Sequence, residues 1–140
     1  MRYLILVSHG EFAPGLHTAL TMLVGEREDV IEIAFHDGMS QEDFKAGIGK
    51  AAAPITEQDE VLILADLLGG SPLTSVLEYL AGKIGLEKVR AVGGMNLPMA
   101  ISAVEAEDDP LDTAFAAVQA EAVEQIRPFV PEPAEEDGDI

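Results

Sequence analysis

Three short segments hold the residues of this chain that could do chemistry: Ser8-His9-Gly10, Asp66-Leu67-Leu68-Gly69-Gly70-Ser71-Pro72, and Gly93-Gly94-Met95-Asn96-Leu97-Pro98-Met99. A histidine can act as acid, base, metal ligand or nucleophile. A carboxylate beside it would keep one ring nitrogen protonated and leave the other free to attack. Asp66 is the candidate for that orienting role toward His9. Gly69-Gly70-Ser71 runs straight into a helical pattern, so its backbone N–H groups and the Ser71 hydroxyl could cradle a phosphoryl group at the positive end of a helix. Each segment also has a plainer reading. A strand-end histidine is often structural, and a Gly-Gly-Ser turn is often a tight connection with a helix cap. The third segment reads either as a glycine turn with Asn96 or Leu97 capping a proline-started helix, or as the wall of a crevice beside the phosphoryl site.

Two further histidines carry less. His17 lies one position past Leu16 inside a helical pattern and reads as structural. His36 in His36-Asp37-Gly38 ends a strand, but one placed beyond the point where ligands gather. The carboxylates show no metal-ligand spacing, and neither a Walker-type loop nor a spaced G-x-G-x-x-G occurs, so no metal or nucleotide cofactor is expected. The absence of cysteine excludes disulfides, zinc thiolates and thiol catalysis.

The elements that must position these residues alternate along the chain. Tyr3–Val7 and Val61–Ala65 are continuous apolar runs, the pattern of strands covered on both faces; Val30–Phe35 and Val89–Val92 are weaker strands. Between them lie helical spacings: Leu16, Ala19, Leu20 and Leu23; Phe44, Ile48, Ala52 and Ile55; Leu73, Val76, Leu77, Leu80 and Ile84. Leu97, Ala100, Ile101 and Val104 follow, and a last helix opens at Asp109-Pro110 and runs over 111–126. Ser40 with Asp43, and Ser71 before Pro72, read as helix caps. Repeated βα units with right-handed crossovers predict an α/β fold with an open, doubly wound, mostly parallel sheet. In such a sheet the ligand crevice lies beyond the carboxyl ends of the strands, where successive crossovers reverse direction. If the first strand is central, the His9 and Asp66 loops flank that crevice.

The chain has 140 residues, 48% of them hydrophobic, enough for one core and too few for two ordinary domains. It divides into a domain over 1–130 and a proline- and carboxylate-rich stretch over 131–140 that reads as a disordered acidic tail. No apolar run approaches the roughly 20 residues that span a bilayer, and Tyr3–Val7 is too short for a signal-peptide core, so a cytoplasmic location is expected. Eight Lys+Arg against 26 Asp+Glu give a formal net charge of −18. Such a surface repels nucleic-acid backbones and anionic lipid, which makes both poor partners and a basic protein a better one.

Taken together and in order, Ser8-His9-Gly10, Asp66-x-x-Gly-Gly-Ser-Pro and Gly-Met-Asn-Leu-Pro-Met resemble the IIA domain of the mannose family of the bacterial phosphoenolpyruvate-dependent sugar phosphotransferase system, over roughly residues 1–128. The resemblance implies that His9 accepts phosphate on Nε2 from the histidine-containing phosphocarrier protein and passes it to a histidine of a IIB domain, for sugar uptake or regulation. It implies that Asp66 hydrogen-bonds the other ring nitrogen and that Gly69, Gly70 and Ser71 stabilise the phosphate. It further implies strand order 2-1-3-4 and a homodimer that exchanges a short antiparallel strand, falling here near Val123–Val130. Many members continue into a IIB domain, so the acceptor is expected on a separate chain. This sequence differs from the family pattern in Leu67-Leu68, where an aromatic can precede the glycines, and in its acidic tail.

Two other readings of the same residues are weaker. Ser8-His9-Gly10-Glu11 is similar to the Arg-His-Gly-Glu motif of histidine phosphatases, which need an arginine where this chain has Ser8. Asp66 ends the third strand where receiver-like signalling modules carry their phosphorylated aspartate. Receivers also need an acidic magnesium-binding pair after the first strand and a lysine after a fifth, and neither is found here.

Overall fold

A computed structural model describes residues 1–131. The elements run β1 (Arg2–His9), α1 (Phe12–Val24), β2 (Val30–Phe35), α2 (Gln41–Ala51), β3 (Glu60–Ala65), α3 (Ser71–Lys83), β4 (Val89–Val92), α4 (Leu97–Glu105) and α5 (Leu111–Glu124). All strand pairings are parallel, in the order β2-β1-β3-β4. The sequence therefore does fold as an α/β protein with a doubly wound sheet in the expected order. The switch point lies between β1 and β3, because the chain moves outward from β1 to β2, then crosses back over β1 to β3 and on to β4.

Strand period explains why the central strands read as unbroken apolar runs. Leu4, Leu6, Leu62 and Leu64 point to one face, where they pack with Leu16, Leu20, Ala100, Ala114 and Val118 from α1, α4 and α5. Ile5, Val7, Val61 and Ile63 point to the other, against Phe44, Ile48, Val76 and Leu80 from α2 and α3. Both faces are covered, so the middle of each strand is apolar throughout.

Side-chain caps start two of the five described helices. Ser40 accepts from the Asp43 N–H at 3.0 Å and starts α2, while Asn96 accepts from the Met99 N–H at 2.9 Å and starts α4. The start of α3 departs from expectation. Its N-cap is Gly70, in extended backbone at φ −85° and ψ 163°, and Ser71 is already the first helical residue. A helical Ser71 cannot fold its hydroxyl onto the first-turn amides, so it is no cap. The first strand also runs on through His9, and the last helix stops at Glu124 rather than 126.

Residues 125–131 form no strand within this chain, and Ile126, Phe129 and Val130 are exposed. The expected tail, apart from Pro131, lies outside the described residues. Among the described residues no helix is long and apolar enough to cross a membrane.

Candidate functional site

The last two residues of β1 part company because strand side chains alternate. Ser8 turns inward and is fully buried, its Oγ accepting from the Ala13 N–H at 2.7 Å. That bond anchors the start of α1, whose N-cap residue Glu11 makes no side-chain cap of its own. His9 turns outward at the carboxyl end of the sheet, with its side chain 50% exposed. Gly10 then takes a left-handed φ of 56°, and its N–H bonds to the Phe35 carbonyl at 2.9 Å, closing the β1–β2 side of the crevice.

Asp66 follows directly on β3, whose Ala65 is in register with Val7, so it stands beside His9 across the switch point. Its Oδ2 lies 2.9 Å from His9 Nδ1 and accepts the His9 backbone N–H at the same distance; its Oδ1 accepts from the Leu67 N–H at 2.8 Å. The side chain is only 16% exposed. Burial pushes its carboxyl pKa up, but the bonds from the His9 backbone, the His9 ring and Leu67, with the attraction of the ring, outweigh burial and hold it below the usual carboxylate value. An ionised Asp66 accepts only, so the hydrogen between the two groups sits on His9 Nδ1, and in the neutral ring the lone pair is then at Nε2.

The free edge of the ring faces the amino end of α3. A Cβ built on Gly70 would stand 3.0 Å from His9 Cε1 and 3.5 Å from Nε2, so Gly70 is the wall against which the Nε2 edge of the ring rests. α2 and α4 spend a first-turn amide on a side-chain cap, whereas α3 has no side-chain cap: Pro72 has no N–H to give, and the amides of Ser71 and Leu73 take no side-chain acceptor among the described residues. Gly69 is different: a Cβ there would meet nothing within 4 Å, so its place in the loop does not depend on close approach. The Ser71 Oγ accepts from the Gln41 side-chain amide at 2.6 Å. Gln41 is the site residue that sequence reading missed; it is the first residue of α2, thirty positions away, and only the packing of α2 on α3 brings it here.

The third loop supports the second. The Met95 N–H bonds to the Ala65 carbonyl at 2.9 Å, laying residues 93–96 over the end of β3. A Cβ on Gly93 would come within 2.9 Å of Leu68 Cα, so the two loops touch backbone to backbone. Asn96 is the cap of α4, its Nδ2 also donating to the Ala122 carbonyl of α5 at 3.3 Å. Leu67 and Leu68 stand exposed at the rim. His36 pairs with Glu11, Nδ1 to Oε2 2.8 Å, and lines with His9, Phe35 and Asp37 a shallow cavity of about 290 Å³. His17, near the middle of α1, pairs with Glu32 at 2.6 Å. Among the described residues no group of carboxylates and histidines could hold a metal ion.

This arrangement brings together a half-exposed imidazole, a largely buried carboxylate on its Nδ1 side, and the uncapped amino end of a helix beside its other edge. Comparison with known proteins shows the family. The family model described as "PTS system fructose IIA component" matches residues 3–122. The mannose-specific EIIAB component of Escherichia coli K12 is 31% identical over 86% of this chain and 36% of its own length. The fructose-specific EIIA component of Bacillus subtilis 168 is 28% identical over 68% of this chain and 63% of its own. The chain thus spans between about a third and two thirds of the length of these curated relatives. Among solved structures, EIIA from Streptococcus agalactiae superposes with a TM-score of 0.77 at 30% identity, covering 92% of this chain and 98% of that one. The mannose/sorbose-specific IIA subunit from Enterococcus faecalis gives 0.74 at 29% identity, covering 95% and 98%. The chain belongs to the mannose-type EIIA family.

Proposed function

We propose that this chain is a phosphocarrier that takes a phosphoryl group onto His9 Nε2 from the histidine-containing phosphocarrier protein and hands it to a histidine of a IIB domain. The observation that carries the reading is the 2.9 Å contact between Asp66 Oδ2 and His9 Nδ1, with the opposite ring edge against Gly70. The Nε2 lone pair attacks phosphorus, the donor's P–N bond breaks, and the donor imidazole leaves with the bonding pair. The Nδ1 proton stays in place, and the positive charge gained by the His9 ring is offset by Asp66. The open amides of α3 and the Ser71 hydroxyl then face the phosphoryl oxygens. Transfer onward reverses these steps toward a second imidazole.

The exposed apolar residues Ile126, Phe129 and Val130 and the outer side of β4, which among the described residues pairs only with β3, favour a homodimer that exchanges a C-terminal strand. Sedimentation at a monomer mass of 14.9 kDa at working concentrations would remove that part of the proposal.

The test of the carrier reading is incubation with phosphoenolpyruvate, the general phosphotransferase enzyme and the phosphocarrier protein, followed by intact mass. One acid-labile, alkali-stable phosphoryl group, absent from His9→Ala, is expected. A folded wild-type protein that stays unlabelled would refute it. An alkali-labile adduct that survives His9→Ala and disappears in Asp66→Ala would establish the receiver-like alternative instead.

A further inference from the structure

We infer that Gln41 is a positioning residue for phosphoryl transfer, acting through Ser71 by fixing which way the Ser71 hydroxyl points. The inference rests on the carrier reading and deepens it at the same site.

A hydroxyl has one proton to give and lone pairs to receive with. The Gln41 Nε2 donates to Ser71 Oγ at 2.6 Å, so one lone pair is taken and the hydroxyl proton is turned away from Gln41. No acceptor for that proton stands in hydrogen-bonding geometry among the described residues. Ser71 follows Gly70, the residue against the Nε2 edge of His9, and it is the first residue of α3. The hydroxyl therefore keeps its proton for a new acceptor, and a phosphoryl group on Nε2, beside the preceding Gly70, would supply one. A donor already receiving a hydrogen bond is itself a stronger donor.

Gln41 is well placed to hold that orientation. It is the first residue of α2, and the Ser40 cap on the Asp43 N–H at 3.0 Å fixes the turn from which it projects. Glu42 and Asp43 follow it in the first turn, so this end of α2 is otherwise acidic. An amide at 41 is the one side chain of the three that can donate. A carboxylate of the same shape would accept the Ser71 proton, reverse the hydroxyl, and set a negative charge facing an incoming phosphoryl group.

The experiment measures the initial rate of His9 phosphorylation by the phosphorylated carrier protein in wild type, Gln41→Ala, Gln41→Glu, Ser71→Ala and Gln41→Ala/Ser71→Ala, with the melting temperature of each. Gln41→Ala is expected to slow transfer by roughly three- to tenfold, the worth of one hydrogen bond. Gln41→Glu should slow it on the order of a hundredfold, as for a lost and reversed donor. With Ser71 already replaced by alanine, Gln41→Ala should change the rate by less than about twofold, because the two act as a unit. A purely structural role would lower the melting temperature and slow both backgrounds alike, which would overturn the inference. So would a Gln41→Glu rate equal to wild type, the result expected if the Gln41 carbonyl accepted the hydroxyl proton. Failure of wild type to label at His9 overturns the carrier reading itself, whereas normal labelling with indifferent Gln41 variants removes only the role of Gln41.

Discussion

Gly70→Ala separates the close approach at His9 from everything else in the loop. Gly70 sits at φ −85° and ψ 163°, a conformation that alanine adopts freely, so the backbone has no reason to move. The new methyl would lie 3.0 Å from His9 Cε1. Carbon atoms in good contact stand about 3.5–4.0 Å apart, so the ring must retreat by roughly 0.5–1 Å. Asp66 holds the other side of the ring at 2.9 Å, and a shift of that size takes the Nδ1 contact past the range of a sound hydrogen bond or tilts Nε2 off the line of attack. Misplacement of a reacting atom by about 1 Å costs up to a hundredfold, so phosphorylation should slow by roughly 10- to 100-fold. Stability should change by less than about 1 kcal/mol. The loss of glycine's freedom in the unfolded chain favours alanine by about as much as its poorer performance as an N-cap disfavours it. Gly69→Ala is the matched control: its Cβ meets nothing within 4 Å, and labelling within about threefold of wild type is expected. Initial rates of phosphoryl transfer, with thermal melts of the same samples, read both effects. Equal rates for Gly70→Ala, Gly69→Ala and wild type would refute the placement of the ring against Gly70.

The third loop should behave oppositely to Gly70. Gly93→Ala puts a methyl 2.9 Å from Leu68 Cα, which is backbone and cannot swing aside, so both melting temperature and phosphorylation rate should fall, and an unchanged melt would contradict the contact. Ser8→Ala removes the acceptor for the buried Ala13 N–H and should cost on the order of 1–2 kcal/mol in denaturant unfolding, with His9 still able to be labelled. Asp66 has a folded pKa below its ordinary value of 3.8, so its contribution to stability is fully present above that value and is lost as pH falls through the folded one. Urea midpoints of wild type and Asp66→Asn should therefore lie furthest apart above about pH 4 and converge in stronger acid. A gap that widens below pH 4 would mean the sign is wrong.

How much of this was legible depended on the range of the interaction. The parallel two-sided core follows from the unbroken apolar runs of β1 and β3, and the candidate pairing of His9 with Asp66 from polar residues placed at the ends of those runs, whereas the strand order rests on the resemblance of the three loop motifs to the IIA family. The extension of β1 through His9 was missed, since Ser8 looks like a loop residue until its Oγ is seen to be used by Ala13. Ser71 was taken for a cap because serine before proline has that local signature. The distinction from a first helical residue lies in the backbone angles of Gly70, which sequence does not print. Gln41 carried no signal at all. Its bond to Ser71 spans two helices, and a glutamine at the start of a helix is otherwise unremarked. The unlike roles of Gly69 and Gly70 were equally hidden, since both are glycines in one turn and only one has a ring against it.

The uneven exposure of the central pair suits the proposed carrier role better than a closed active site would. A group that is loaded by one protein and unloaded by another has to be reached twice from solvent, and the His9 side chain is half exposed. Its orienting carboxylate has the opposite need. A charge acts more strongly on a neighbour when water is kept from it, and Asp66 is 16% exposed while held by three donors. The strand end meets both demands with consecutive positions: Ser8 turns in and pins α1, His9 turns out, and the β3 backbone sets Asp66 beside it. The parts that would meet the phosphoryl oxygens, Gly70, Ser71 and the open amides of α3, belong to a different crossover from the nucleophile. Small movements of the α3 end could then loosen the hold on phosphate without disturbing the His9–Asp66 pair. A carrier gains from that separation, because its phosphorylated form must be neither too stable to pass on nor too unstable to wait.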